Sequence, residues 1–424
     1  MINSLKTALL FFALITVDVS AQPQRLTEAI GQLHQQLQQP DRQGAHLATQ
    51  LIDQWIDIPS FTQDAFSSYV EQSLTSYEEI LSEEAFTQLV SAEKERLARA
   101  VRDRLVRDLS YHLNRPSLYG VELRDLRAEA SGPEGTAHLA LIEHGGERTV
   151  ELELIARAGD WRIVRIALDK IDLGQYYHSL CSDLITQRYS LPVVISRLGE
   201  VPYVVLDDFS STPIGQTPAD WGSWRDKDRG KPLLYRVQTS GEQTYMAAQD
   251  SGYSVILGKF VHWNPREYPI MTWCWRANAL PPGGNEFLNH ANDSAAGIYV
   301  IFSQNWLHVP KQLKYVWSST LPEGTIGRRD KLFRPWFFVL ESGEENRGKW
   351  TFEMVDLVRD HRHKLGGVPA ERTIGLGLLT DANSTHSYAE ADYADLRVWK
   401  REALERRQIV DHCATLRSSS SHGY

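Results

Sequence analysis

The chain has 424 residues, 42% of them hydrophobic and 23% charged, with 45 Lys and Arg against 54 Asp and Glu for a net charge of −9. These proportions exclude a disordered chain or a fibrous repeat, and the acidic balance excludes a general nucleic-acid binder, which needs a basic face. The charge is unevenly placed: residues 22–200 hold 18 cationic and 27 anionic side chains, residues 203–400 hold 22 and 23, and 10 of the 12 tryptophans lie between Trp221 and Trp399. At about 150 residues per domain, this predicts two domains, 22–200 and 203–400, of different chemistry.

Residues 1–21, MINSLKTALLFFALITVDVSA, set Lys6 before an apolar run from Ala8 to Val17 and end on the small pair Ser20-Ala21. The pattern predicts a secretory signal peptide, hence a soluble protein exported to the periplasm. The run is too short to span a bilayer comfortably. Cys181, Cys274 and Cys413 are too scattered for a disulfide scaffold or a metal site, although one bridge is possible.

From Gln24 to about Asn114 the chain reads helical. In 82–113, Phe86, Leu89, Val90, Leu97, Val101, Leu105, Leu109 and Leu113 recur mostly at three- and four-residue steps, one apolar stripe on a charged helix. The period then changes. Runs 121–130, 135–144, 147–158 and 160–169 are strand-like and separated by turn residues, and Val150, Leu152 and Leu154 alternate with Glu151 and Glu153. A four-stranded antiparallel meander follows, closed by a helical stretch at 172–198. Helices on such a sheet make an α+β domain whose interlayer space is either packed core or ligand cavity.

Trp161-Arg162-Ile163, Asp172-Leu173, Tyr176-Tyr177-His178 and the helix end LVRDLSYHL (105–113) give a further clue. Over about 43–199 the chain resembles the MlaC (toluene-tolerance) family of periplasmic phospholipid-binding proteins. It departs from that pattern at Asp172, His178 and Cys181. The resemblance implies a dry cleft for acyl chains, membrane-associated transport proteins as partners, and Val150, Leu152, Leu154, Ile163, Ile166 and Tyr177 as lining residues.

From Val204 onward, short apolar-aromatic runs recur between Gly, Pro, Asn and Asp, the pattern of an all-β sandwich or jelly roll; only 353–365 could be helical. The motifs Trp273-Cys274-Trp275-Arg276, Asp293-Ser294-Ala295-Ala296, Leu313-Lys314-Tyr315-Val316-Trp317 and Thr380-Asp381-Ala382-Asn383-Ser384-Thr385 carry a second resemblance. It is to an exported bacterial family of unknown function, and implies a jelly-roll-type sandwich shaped like carbohydrate-binding modules. The tail 401–424 begins helical and ends in a polar run expected to be disordered.

Three constellations in this half bear on function. Trp273 and Trp275 share a strand face and, with Trp306 or Trp317, would form a sugar-stacking platform if exposed or core if buried. Asp293, Asp381, Asn383, Asp392 and Asp395 offer oxygen ligands for a structural Ca²⁺, or ordinary turn chemistry. His361 and His363 stand two apart on a helix and so do not share a face. Carboxylates such as Glu341, Glu353, Asp293 and Asp381 are numerous, but no hydrolase pair is singled out. The expectation is a periplasmic carrier of phospholipid or a similar amphiphile with a sandwich that docks to glycan, lipid headgroup or protein, needing no cofactor and not an enzyme. The alternative is an envelope glycan-binding or glycan-processing protein whose first domain is a scaffold.

Overall fold

The computed structural model describes residues 44–79, 81–113, 121–131, 133–143, 146–157, 160–223, 231–232, 234–306, 309–329 and 334–420. The predicted signal segment lies outside them. The chain divides into two compact units. Among the described residues, unit 1 comprises 44–74, 90–187 and 197–199, and unit 2 comprises 75–89, 188–196 and 200–420.

Unit 1 opens with helices α1 (Gly44–Trp55) and α2 (Ile58–Ser73), followed in chain order by the single turn α3 (Thr75–Glu78) and the long α4 (Glu83–Leu113). Local chemistry sets these ends. Asp57 caps α2 by accepting from the Ser60 N–H at 3.1 Å, with Pro59 in the first turn where its missing N–H costs nothing. Ser82 caps α4 through the Ala85 N–H at 3.2 Å. The predicted stripe on α4 is buried at Leu89, Leu97, Val101, Leu105 and Leu109; Phe86 and Val90 are half-buried.

The sheet of unit 1 runs β1 (Val121–Ser131), β2 (Glu134–Glu143), β3 (Gly146–Arg157), β4 (Asp160–Leu168) and a two-residue β5 (Ile171–Asp172), antiparallel neighbours in chain order. The meander therefore carries a fifth, very short strand. The closing helical stretch is broken into α5 (Leu173–Ser179), α6 (Ser182–Thr186) and α7 (Leu191–Gly199). Helices α1, α2 and α5 pack on β4, and the Asp57 N–H donates to the Ile163 carbonyl at 3.0 Å. Asp172 caps α5 through the Gln175 N–H at 2.8 Å and pairs with Arg165 at 2.6 Å. On α4, Arg107 donates to the Leu198 and Gly199 carbonyls at the end of α7.

Unit 2 is built on two large sheets. One orders β14 (Ile326–Gly327), β15 (Trp336–Ser342), β13 (Pro310–Ser318), β12 (Ala296–Gln304), β17 (Gly375–Leu378), β10 (Leu257–Phe260) and β7 (Gly222–Ser223). The other orders β16 (Thr351–Asp356), β11 (Ile270–Ala279), β18 (Ala389–Trp399), β9 (Gln243–Asp250) and β8 (Tyr235–Ser240), with β6 (Tyr203–Asp207) also on β18. Pairing is antiparallel except between β13 and β15. Aromatic side chains join the sheets: Trp273 of β11 meets Tyr315 of β13 at 5.7 Å, and Trp275 meets Trp317 at 6.1 Å. Helix α8 (Leu357–Leu365) follows β16, so the segment 353–365 starts as the end of a strand and is helical from Leu357 onward.

The tail begins helical, as expected, and its last residues, 421–424, lie outside the described residues. Helices α9 (Arg401–Glu405) and α10 (Ala414–Ser420) carry it to Ser420. Cys413 is disulfide-bonded to Cys274 across 139 residues, Leu416 is buried, and Arg417 donates to the Trp350 carbonyl at 2.9 Å. On β10, Lys259 is held between Asp207 and Asp220, each at 2.6 Å, with the Trp221 indole N–H also on Asp207. Among the described helices none is long and apolar enough to cross a membrane.

Candidate functional sites

The six residues expected to line a cleft in unit 1 are not among those that line its described apolar groove. Val150, Leu152, Leu154, Ile163, Ile166 and Tyr177 are all buried. Alternation identified the dry face correctly, but that face is filled by packed side chains, as protein interiors usually are. The apolar cavity of unit 1 lies elsewhere, between α2 and α4, and measures about 560 Å³. On α2, Ile58, Thr62, Phe66 and Val70 recur every four residues and so form one wall. The Thr62 hydroxyl donates back to the Ile58 carbonyl at 3.0 Å, which satisfies it within its own helix. Leu97 and Ala98 of α4 close the opposite wall.

The rim of this groove is charged. Lys94, Arg99 and Arg102 stand there against Glu95. Lys94 pairs with Glu71 of α2 at 2.9 Å. Arg102 grips both oxygens of Asp53 on α1 at 2.6 and 2.7 Å, a bidentate pair that pushes the guanidinium pKa up. These ion pairs tie three helices together around the opening. Further along, the Cys181 thiol is buried and pushed up to about 12, which keeps it protonated and unreactive.

In unit 2 the tryptophan platform is overturned. Trp273, Trp275 and Trp317 are completely buried in the core between the sheets, leaving no ring face for a sugar; Trp306 alone of the four is exposed, at 85%. The calcium set is likewise dispersed. Asp293 accepts from the Ser384 and Thr385 N–H groups at 3.1 and 2.6 Å and from the Thr385 hydroxyl at 2.7 Å, clamping that loop. Asp392 is taken by Arg276 at 2.7 Å and Asn278 at 2.7 Å, and Asp395 by Arg397 at 2.5 Å. Asn383 is exposed. Among the described residues no group of three His, Cys, Asp or Glu is placed to hold a metal ion. His361 is buried against Phe302 while His363 is exposed, so the two rings part as their spacing predicts.

Asp381 belongs to a different arrangement, a polar cavity of about 330 Å³. Its floor is Lys314 of β13, which stands opposite Tyr299 of β12 and is only 6% exposed. The Lys314 ammonium donates to Ser294 Oγ at 3.0 Å and lies 5.5 Å from the Tyr299 ring centre. Ser294 in turn donates to Glu286 at 2.8 Å, and Ser318 donates to the other Glu286 oxygen at 2.6 Å. Gly297 leaves room for this: a Cβ there would stand 2.9 Å from Lys314 Cε and would press the lysine stem aside. Burial, then the Asp293 charge, pushes Asp381 up to about 6 against the pull of Lys314. At the mouth, Arg329 is held below the usual guanidinium range by burial and by Arg334 beside it. A lysine inside an apolar strand was the available signal for this site. Of its partners, Ser294 stood in the Asp293-Ser294-Ala295-Ala296 motif, while Glu286, from the loop before it, carried no signal.

Residues 219–397 match the family described as a protein of unknown function, DUF3047. The polar cavity lies within this DUF3047 region. No curated protein matches the chain. Among solved structures, a phospholipid-binding protein from Ralstonia solanacearum, in complex with a phospholipid, is similar over 39% of this chain and 84% of that chain. The identity is 17% and the TM-score 0.23, too low for an argument about fold or ligand.

Proposed function

We propose that unit 1 binds an amphiphile of the phospholipid or fatty-acid type in the α2–α4 groove. In this reading the protein is an exported binding protein rather than an enzyme, and unit 2, read as a jelly-roll-type sandwich, serves as its recognition module. The supporting observation is the groove itself: about 560 Å³ with an apolar wall repeating every four residues and a polar rim on which Lys94 and Arg102 are already paired with Glu71 and Asp53 and Arg99 stands beside Glu95. Its volume falls within the range of small-ligand sites, about 300–1,000 Å³. Each methylene taken from water contributes about 0.8 kcal/mol, so an acyl chain needs only a dry surface, while a polar headgroup suits the rim.

The reading is tested on the purified full chain by mass spectrometry of an organic extract. Wild-type protein should carry lipid. Ala98→Trp, which fills the groove from α4, should remove it without unfolding the protein. An extract free of lipid, or one unchanged in the folded Ala98→Trp variant, overturns the proposal.

A further inference from the structure

We propose that the polar cavity of the DUF3047 region is a binding site for acidic saccharides, sugars bearing a carboxylate. Three features carry this. Lys314 is a nearly fully buried ammonium, yet its single hydrogen bond among the described residues is to Ser294, leaving donors for a ligand. A buried charge so sparingly paired is costly unless an anion completes it. Arg329 and Arg334 stand together at the mouth, where their mutual repulsion is relieved by an anion between them. Among the described lining residues, Lys314, Arg329 and Arg334 face Glu286 and Asp381, an excess of one positive charge.

That balance fits a monoanion better than a dianion, because a doubly charged phosphate would also face Glu286 and Asp381. The rest of the lining specifies the remainder of the ligand. Gln312, Asn383 and Ser384 offer amide and hydroxyl groups that pair with sugar hydroxyls, and the Asp381 carboxyl can accept from one. The volume of about 330 Å³ is at the small end for ligand sites, which suits one or two sugar rings.

Isothermal titration of the full chain tests this with galacturonate, glucuronate and mannuronate, with glucose as the uncharged control and inorganic phosphate as the simple anion. At least one uronate should bind, and glucose and phosphate should bind about tenfold more weakly or not at all. Arg329→Gln, at a half-exposed position, should fold normally by near-ultraviolet circular dichroism and weaken uronate binding about tenfold. Lys314→Met should abolish binding. Three results would overturn the proposal: no uronate binding at about 5 mM, phosphate binding as tightly as the uronates, or unchanged affinity in folded Arg329→Gln.

Discussion

Glu353 makes a quantitative test of how unit 2 is held together. It sits on β16 opposite Trp273 and accepts from the Trp275 indole N–H at 3.0 Å. Burial, with the like charge of Glu341 second, pushes its pKa up to about 8 from the ordinary 4.5. Folded protein therefore holds a proton that the unfolded chain has released across that window. Stability must fall as pH rises from 4.5 toward 8, then level off above it. At about 1.4 kcal/mol per pKa unit the full shift corresponds to an upper bound of about 5 kcal/mol. Roughly half of that survives relaxation around the carboxyl. Glu353→Gln keeps an acceptor for Trp275 and removes the titration. Urea unfolding followed by tryptophan fluorescence suits the test, since 10 of the 12 tryptophans lie between 221 and 399. The variant should gain about 1 kcal/mol on wild type between about pH 6 and about pH 9. Parallel stability curves for the two proteins would refute the reasoning.

Two further changes probe the same unit. Cys413→Ser opens the loop closed by the Cys274–Cys413 bridge; for a loop of this length the chain-entropy model gives a loss of about 4–5 kcal/mol, read by thermal melting and mimicked by reductant on wild type. Lys259→Met leaves buried Asp207 and half-buried Asp220 without their shared cation and should cost about 3 kcal/mol by urea unfolding, whereas an exposed lysine would cost almost nothing.

Strand positions in unit 1 were legible to within about two residues, because alternation such as Val150, Leu152 and Leu154 against Glu151 and Glu153 has no helical reading. The same alternation says which face is dry, not whether the dry space is empty, and so the expected lining residues proved to be core. The groove was missed because its wall on α2, Ile58, Thr62, Phe66 and Val70, is a stripe of the kind that usually packs. The tryptophans show the same ambiguity: two positions apart fixes a shared face, and only the opposing sheet decides that this face is interior. The bridge between Cys274 and Cys413 joins residues too far apart for any local pattern to reveal.

The central claim is that an acyl chain lies between α2 and α4. A phospholipid bearing a photoactivatable group on its acyl chain, cross-linked to the full-length protein and mapped by peptide mass spectrometry, tests it most directly. Binding in the groove predicts labelling within 58–70 and 91–102 that Ala98→Trp suppresses. Labelling concentrated in β3 and β4, or in unit 2, would contradict it.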